Sequence, residues 1–161
     1  MLKDWNKVEQ PTAEEVDKRL ANAKNSLLQQ QIAMKEKKLP VIVLLEGWGA
    51  AGKGSVLGKL IKNIDPRFFK VAVMDEPTEE EKRKPFLYRH FVKIPEAGKF
   101  VFMDSGWMSE VTSQKLSGEL SEEEYKKRIE SIKRFERQLT DNGYLLLKFF
   151  FNIDRRSRRS D

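Results

Sequence analysis

Cysteine is missing from this 161-residue chain, and histidine occurs once. Without thiols there is no disulfide, no thiolate nucleophile and no thiolate-bound metal, which fits a reducing compartment. The lone histidine, His90, stands near Phe86 and beside Phe91 and reads as a packed side chain rather than a general base. Long apolar runs are also lacking. The opening Met1-Leu2-Lys3-Asp4-Trp5 has no signal-peptide character, and no window approaches a membrane span, so the cytoplasm is the default compartment. Internal repeats and low-complexity tracts are absent too.

The residues that are present suit one domain: 39% are apolar and 35% charged, enough of each for a packed core under a solvated surface. The net charge of +6 points to a polyanionic partner. Four of those six charges are Arg155, Arg156, Arg158 and Arg159, at the extreme terminus. That tail has no stacking aromatics and no readout motif, which argues against nucleic acid.

Hydrophobic periodicity and capping residues divide the chain into a flexible arm (1–11), a domain (12–153) and a basic tail (154–161). Thr12 and Glu15 form a capping-box pattern opening a helix to about Lys37, with Val16, Leu20, Ala23 and Leu27 on one face. Val41 to Leu45 is a continuous apolar run, expected of a central parallel strand covered on both faces. A helix carrying Leu57, Leu60 and Ile61 follows, then a strand from Phe69 to Met74. Thr78 is expected to cap one helix running through Phe86, Leu87, His90 and Phe91. Lys99 to Met103 reads as a third strand, and a short helix is expected around Met108. Ser121 with Glu124 opens a long helix whose core face is Tyr125, Ile129, Ile132, Phe135 and Leu139, and Tyr144 to Phe151 is a fourth strand. Strands alternating with helices predict an α/β sandwich with a mainly parallel sheet.

Between the first strand and its helix lies Gly47-x-x-x-x-Gly52-Lys53, the pattern of a phosphate-binding loop. Glycines let successive backbone N–H groups turn toward one anion, and the following helix adds its positive end. Gly47, Gly49, Ala51, Gly52, Lys53, Gly54 and Ser55 are the candidate phosphate-binding residues, with Lys53 reaching the transferred phosphoryl group. Gly54 occupies the place of the usual magnesium-holding hydroxyl, and Ser55 follows one residue late. Asp104, at the end of the third strand, is the candidate metal ligand and a catalytic residue, for Mg²⁺ held directly or through water. Arg89 is the candidate phosphate clamp. The fold expected is therefore a P-loop NTPase-like sandwich.

Beyond the loop, four stretches occur in order: Glu46 to Gly54; Pro77 to Glu81 with Phe86 to Arg89; Ile94 to Gly98 running into Asp104-Ser105-Gly106-Trp107; and Phe135 to Leu139 ahead of Lys148 to Phe151. Together they resemble the family-2 polyphosphate kinases over about residues 12–153. The resemblance implies phosphoryl transfer between inorganic polyphosphate and a nucleotide (AMP or ADP) with Mg²⁺, and a chain stopping before the family's lid and last strand. It also shows departures. Gly49 stands where the family carries aspartate, and Ser105 and Glu110 stand where it carries arginines, so a repulsive glutamate among phosphates and an impaired site are expected. That pattern is similar to the N-terminal half of tandem members that phosphorylate AMP. An ATP-dependent nucleoside monophosphate kinase and a non-catalytic anion-binding module, pairing into a homo-oligomer through helix 12–37, are the alternatives.

Overall fold

In the computed structural model, which describes residues 11–48, 50–62 and 64–152, four parallel strands form one sheet in the order β2-β3-β1-β4. The expected arm falls on residues outside this range apart from its last position, and the basic tail and Gly49 lie outside it. The strands are β1 (Val41–Gly47), β2 (Phe69–Val73), β3 (Phe100–Asp104) and β4 (Leu145–Phe151). β1 is flanked on both sides, by β3 and β4. Its first six residues are buried, which is why it reads as an unbroken apolar run. The P-loop-like α/β architecture expected from the alternation of elements is the one observed.

Strand pleating sorts the side chains into two cores. Ile42, Leu44, Val101 and Met103 face α5 (Trp107–Leu116) and α6 (Glu122–Asp141), which contribute Trp107, Val111, Ile132, Phe135 and Leu139. Val41, Val43, Leu45, Phe100 and Phe102 face the other way, onto Leu57 and Ile61 of α2 (Lys53–Ile61) and Leu27 and Met34 of α1 (Ala13–Glu36). Each fully buried large side chain contributes roughly 1.5–3 kcal/mol of transfer free energy. Both expected capping boxes close, Thr12 with Glu15 and Ser121 with Glu124, and the expected Thr78 cap forms a third box with Glu81.

Two expectations change. The helix capped by Thr78 is two separate turns, α3 (Glu79–Lys82) and α4 (Tyr88–Phe91). Pro85 lies between them; it lacks an N–H for the ladder and disfavours helical backbone at Lys84. On α1 the apolar face is only partly used: Leu27 and Met34 pack on the sheet, whereas Val16, Leu20, Leu28 and Ile32 are exposed. Leu145, Leu147 and Phe149 of the edge strand β4 are likewise 37–50% exposed. Among the described residues, no helix is long and apolar enough to cross a membrane.

Candidate functional site

Parallel strands all present their carboxyl ends to one edge of the sheet, and β1 opens there into the glycine loop. Gly47 has φ +126°, and a Cβ on it would run into the carbonyl of Phe151 on β4, so only glycine fits where the loop begins. Gly52 has φ +78° and is the N-cap of α2, with no side chain to cap it. The first-turn N–H groups of α2 therefore have neither an intrahelical partner nor a capping oxygen from Gly52. They are the oriented donors that an anion requires.

Lys53 is 6% exposed, unusual for a lysine. Its Nζ donates to the carbonyl oxygens of Gly47 (3.2 Å) and Trp48 (2.9 Å), folding the ammonium over its own loop. The Ala51 N–H closes a turn on the same Trp48 carbonyl (3.1 Å), and Trp48 Nε1 donates to Asn152 Oδ1 beyond β4 (3.3 Å). Gly54 and Ser55 are exposed in the first turn of α2.

Asp104 pairs in register with Leu45, two residues before Gly47. Pleating puts it on the Phe100 and Phe102 side, the face α2 packs on. Ser105 follows with φ +65°, the left-handed region that a non-glycine residue seldom enters, and its N–H is fixed to Leu45 O at 3.1 Å. Magnesium at phosphoryl-transfer sites is typically held by one or two carboxylates plus the substrate's own phosphates. One half-buried carboxylate beside the loop fits a cation of that kind, and among the described residues no cluster of three or more His, Asp or Glu offers a protein-only cage.

Arg89 comes to the same edge but is buried and engaged. It donates through Nη2 to the carbonyl of Asp75, just past β2, and its Nε lies 3.9 Å from Glu81. Its Nη1 is 3.6 Å from Glu110 Oε2, and the same oxygen is 3.0 Å from His90 Nε2. His90 is fully buried, edge-on to Trp107 with ring centroids 5.7 Å apart. The glutamate expected to repel phosphates is thus paired with a buried arginine, and its negative charge is locally balanced.

Glu46 is the residue whose role the sequence left unassigned. It is buried, and its Oε2 accepts from the Ser109 N–H (3.0 Å) and from the Ser109 hydroxyl. The signal was a lone carboxylate ending an apolar strand, visible but without a partner until α5 was placed.

Comparison with known proteins gives the lineage. Residues 10–160 match the family Polyphosphate kinase 2 (PPK2). The chain is 31% identical over 147 residues to ADP-polyphosphate phosphotransferase 3 of Rhizobium meliloti, covering 88% of this chain and 52% of that protein. It is 33% identical over 122 residues to a polyphosphate:AMP phosphotransferase of Pseudomonas syringae pv. tomato, covering 76% of this chain and 24% of the relative. It superposes with TM-score 0.89 on the crystal structure of a protein from Pseudomonas aeruginosa described as a polyphosphate kinase 2, at 28% identity, over 97% of this chain and 34% of that one. The chain therefore spans about half or less of the length of these relatives. Loop, sheet and family match agree, and the chain belongs to the polyphosphate kinase 2 family.

Proposed function

We propose that this chain is the phosphate-loop unit of a polyphosphate:nucleotide phosphotransferase, with polyphosphate held at the glycine loop and AMP or ADP as the nucleotide. The observation that carries this reading is Lys53, buried on the carbonyls of its own loop at the uncapped end of α2, with Asp104 closing the neighbouring strand. Transfer breaks the bond between a phosphorus and its bridging oxygen and forms one to a nucleotide phosphate oxygen. That chemistry needs placement and charge neutralisation more than a strong base. Lys53 and the α2 N–H groups supply the positive surroundings. Mg²⁺, when bound, would be held by Asp104 together with substrate phosphates and would neutralise charge developing between them. The two relatives described above are named for polyphosphate with ADP and with AMP, which supports this substrate class.

Turnover by residues 1–161 is proposed to be weak. Gly49 stands where the resemblance places an aspartate, so this copy offers Mg²⁺ one fewer carboxylate. The fuller tandem architecture belongs to the same proposal, supported by the 24% of the Pseudomonas syringae polyphosphate:AMP phosphotransferase that the match spans. The test is a coupled assay with AMP and with ADP, using polyphosphate or ATP as donor and Mg²⁺ throughout. No measurable conversion by the parent chain, with polyphosphate still bound, is expected. Robust polyphosphate-driven turnover would overturn the impairment, and turnover with ATP alone would favour a nucleoside monophosphate kinase. A non-catalytic pairing module is the second reading, favoured by the exposed Leu20, Leu28 and Ile32 on α1. Sedimentation of the parent and of Leu28→Lys separates it from a monomer.

A further inference from the structure

A glutamate in the most buried strand of the sheet calls for an explanation. Removing a carboxylate from water is costly, and only one of its oxygens is repaid here: Oε2 takes both donors of Ser109, while Oε1 is buried without a hydrogen-bond partner among the described residues. Stability alone is poorly served by such an arrangement.

The geometry around α5 supplies the missing part. The N-cap of α5 is Gly106, which has no side chain to satisfy the helix's first N–H groups. Ser109 is the third residue of that helix, the position whose N–H a capping side chain normally takes. Glu46 provides the capping oxygen from a different element. Its negative charge also lies at the positive end of the helix dipole. Glycine at 106 makes room for it, since a Cβ there would sit 2.6 Å from Glu46 Oε1 and 3.0 Å from Leu44 Cδ2.

We propose that Glu46 is a positioning residue: its carboxylate, carried on β1, caps α5 in place of Gly106 and so clamps the Asp104–Ser105–Gly106 turn onto the strand that opens into the phosphate loop. The clamp has two points, Ser105 N–H on Leu45 O and Ser109 N–H on Glu46 Oε2, at 3.1 and 3.0 Å. Between them the chain passes through the left-handed Ser105, a conformation that persists only where its neighbours hold it. A shared cation between Glu46 and Asp104 is not what the pleat supports. Glu46 alternates with Leu44 and Ile42 onto the α5 face, whereas Asp104 follows Phe102 onto the α2 face. The inference rests on the reading of the glycine loop as a phosphate site.

The sign of one measurement separates positioning from plain electrostatics. A carboxylate acting only through its charge would repel a polyanion, and its removal would tighten binding. A positioning carboxylate would do the reverse. Tripolyphosphate is titrated at low salt into the parent, Glu46→Ala, Glu46→Gln, Gly106→Ala, the double variant Glu46→Ala/Gly106→Ala, and Lys53→Ala. Glu46→Ala is expected to bind about tenfold more weakly. Glu46→Gln, whose amide oxygen can still accept from Ser109, should stay within about twofold of the parent. Gly106→Ala should weaken binding while Glu46 is present and add little once it is gone.

Circular dichroism shows which variants fold. Should Glu46→Ala not fold, the Gln and Gly106→Ala titrations decide the matter. Unchanged or tighter binding by a folded Glu46→Ala, a Gln variant as weak as the Ala variant, or an unaffected Gly106→Ala overturns the proposal. Lys53→Ala reports on the underlying reading: parent-like binding there sinks the phosphate-loop assignment, whereas weakened binding with an unaffected Glu46→Ala sinks only the clamp.

Discussion

Glu110 and the buried Arg89 form a partly buried ion pair at 3.6 Å, with side chains 16% and 7% exposed. His90 Nε2 adds a 3.0 Å hydrogen bond to the same carboxylate oxygen. The pair joins α5 to α4, and through the Asp75 carbonyl to the end of β2.

Breaking that pair leaves the buried Arg89 with only the longer Glu81 contact at 3.9 Å and the Asp75 carbonyl. Glu110→Ala should cost about 3 kcal/mol or less, the low end for removal of one partner of a buried pair, because Glu81 still offsets part of the charge. Urea denaturation followed by circular dichroism measures it. Glu110→Arg, which restores the residue type of the family resemblance, should destabilise the chain at least as much, because a second cation would lie beside Arg89. A Glu110→Arg variant as stable as the parent would show that the pair contributes nothing.

Gly47 is the tightest backbone approach at the site. A methyl there meets the Phe151 carbonyl on β4, and φ +126° is strained for any L side chain. Gly47→Ala should therefore part β1 from β4 and destabilise by about 2 kcal/mol or more. Gly54→Ala, which has open space around its Cβ position and lies in the first turn of α2, should be close to neutral. Melting temperatures of the two variants give the comparison.

Acid should loosen the surface before the core. The Arg67 side-chain hydrogen bond to Asp65, at 2.6 Å, is the main cause that holds the Asp65 carboxyl at about 2 instead of the ordinary 3.8. Glu124, hydrogen-bonded by the Ser121 side chain in the cap of α6, is also lowered, and so is Glu130 beside Lys133. A carboxyl with a depressed folded pKa binds fewer protons when folded. Its stabilisation is present above the unfolded value and is lost as pH falls through the folded one. The melting temperature should be level from neutral pH to about 5 and fall between about 4.5 and 2. Asp65→Asn and Glu124→Gln should each make that fall shallower.

Asp104→Asn should weaken Mg²⁺ binding only modestly, since one carboxylate without a second holds a magnesium ion poorly until phosphates join it. Calorimetric titration of Mg²⁺, with and without tripolyphosphate, reads this directly. Tight stoichiometric Mg²⁺ binding in the absence of phosphate would contradict it.

Much of the fold was legible because local signals agreed with one another. The apolar run at 41–45 and the capping boxes at Thr12 and Ser121 each marked an element that formed within a residue or two of its expected limits. The glycine loop was legible for the same reason: strand, glycines, lysine and helix occur in a fixed order. What could not be read was tertiary pairing. Nothing local announces that Glu46 reaches a helix start 60 residues later, or that Glu110 turns to Arg89 and His90. Both are carboxylates whose partners are set by the sheet order. The split of α3 from α4 was announced by Pro85, a signal outweighed by the apolar spacing on either side of it.

The central claim is that the loop around Lys53 is a working polyphosphate cradle. The most direct measurement is the affinity of tripolyphosphate for the parent chain and for Lys53→Ala by calorimetric titration at low salt, repeated at higher salt. Parent binding should weaken as salt rises, and Lys53→Ala should bind about tenfold more weakly through the loss of a charge-assisted contact, with its fold intact by circular dichroism. Equal affinity of the two proteins at low salt would contradict the phosphate-cradle account.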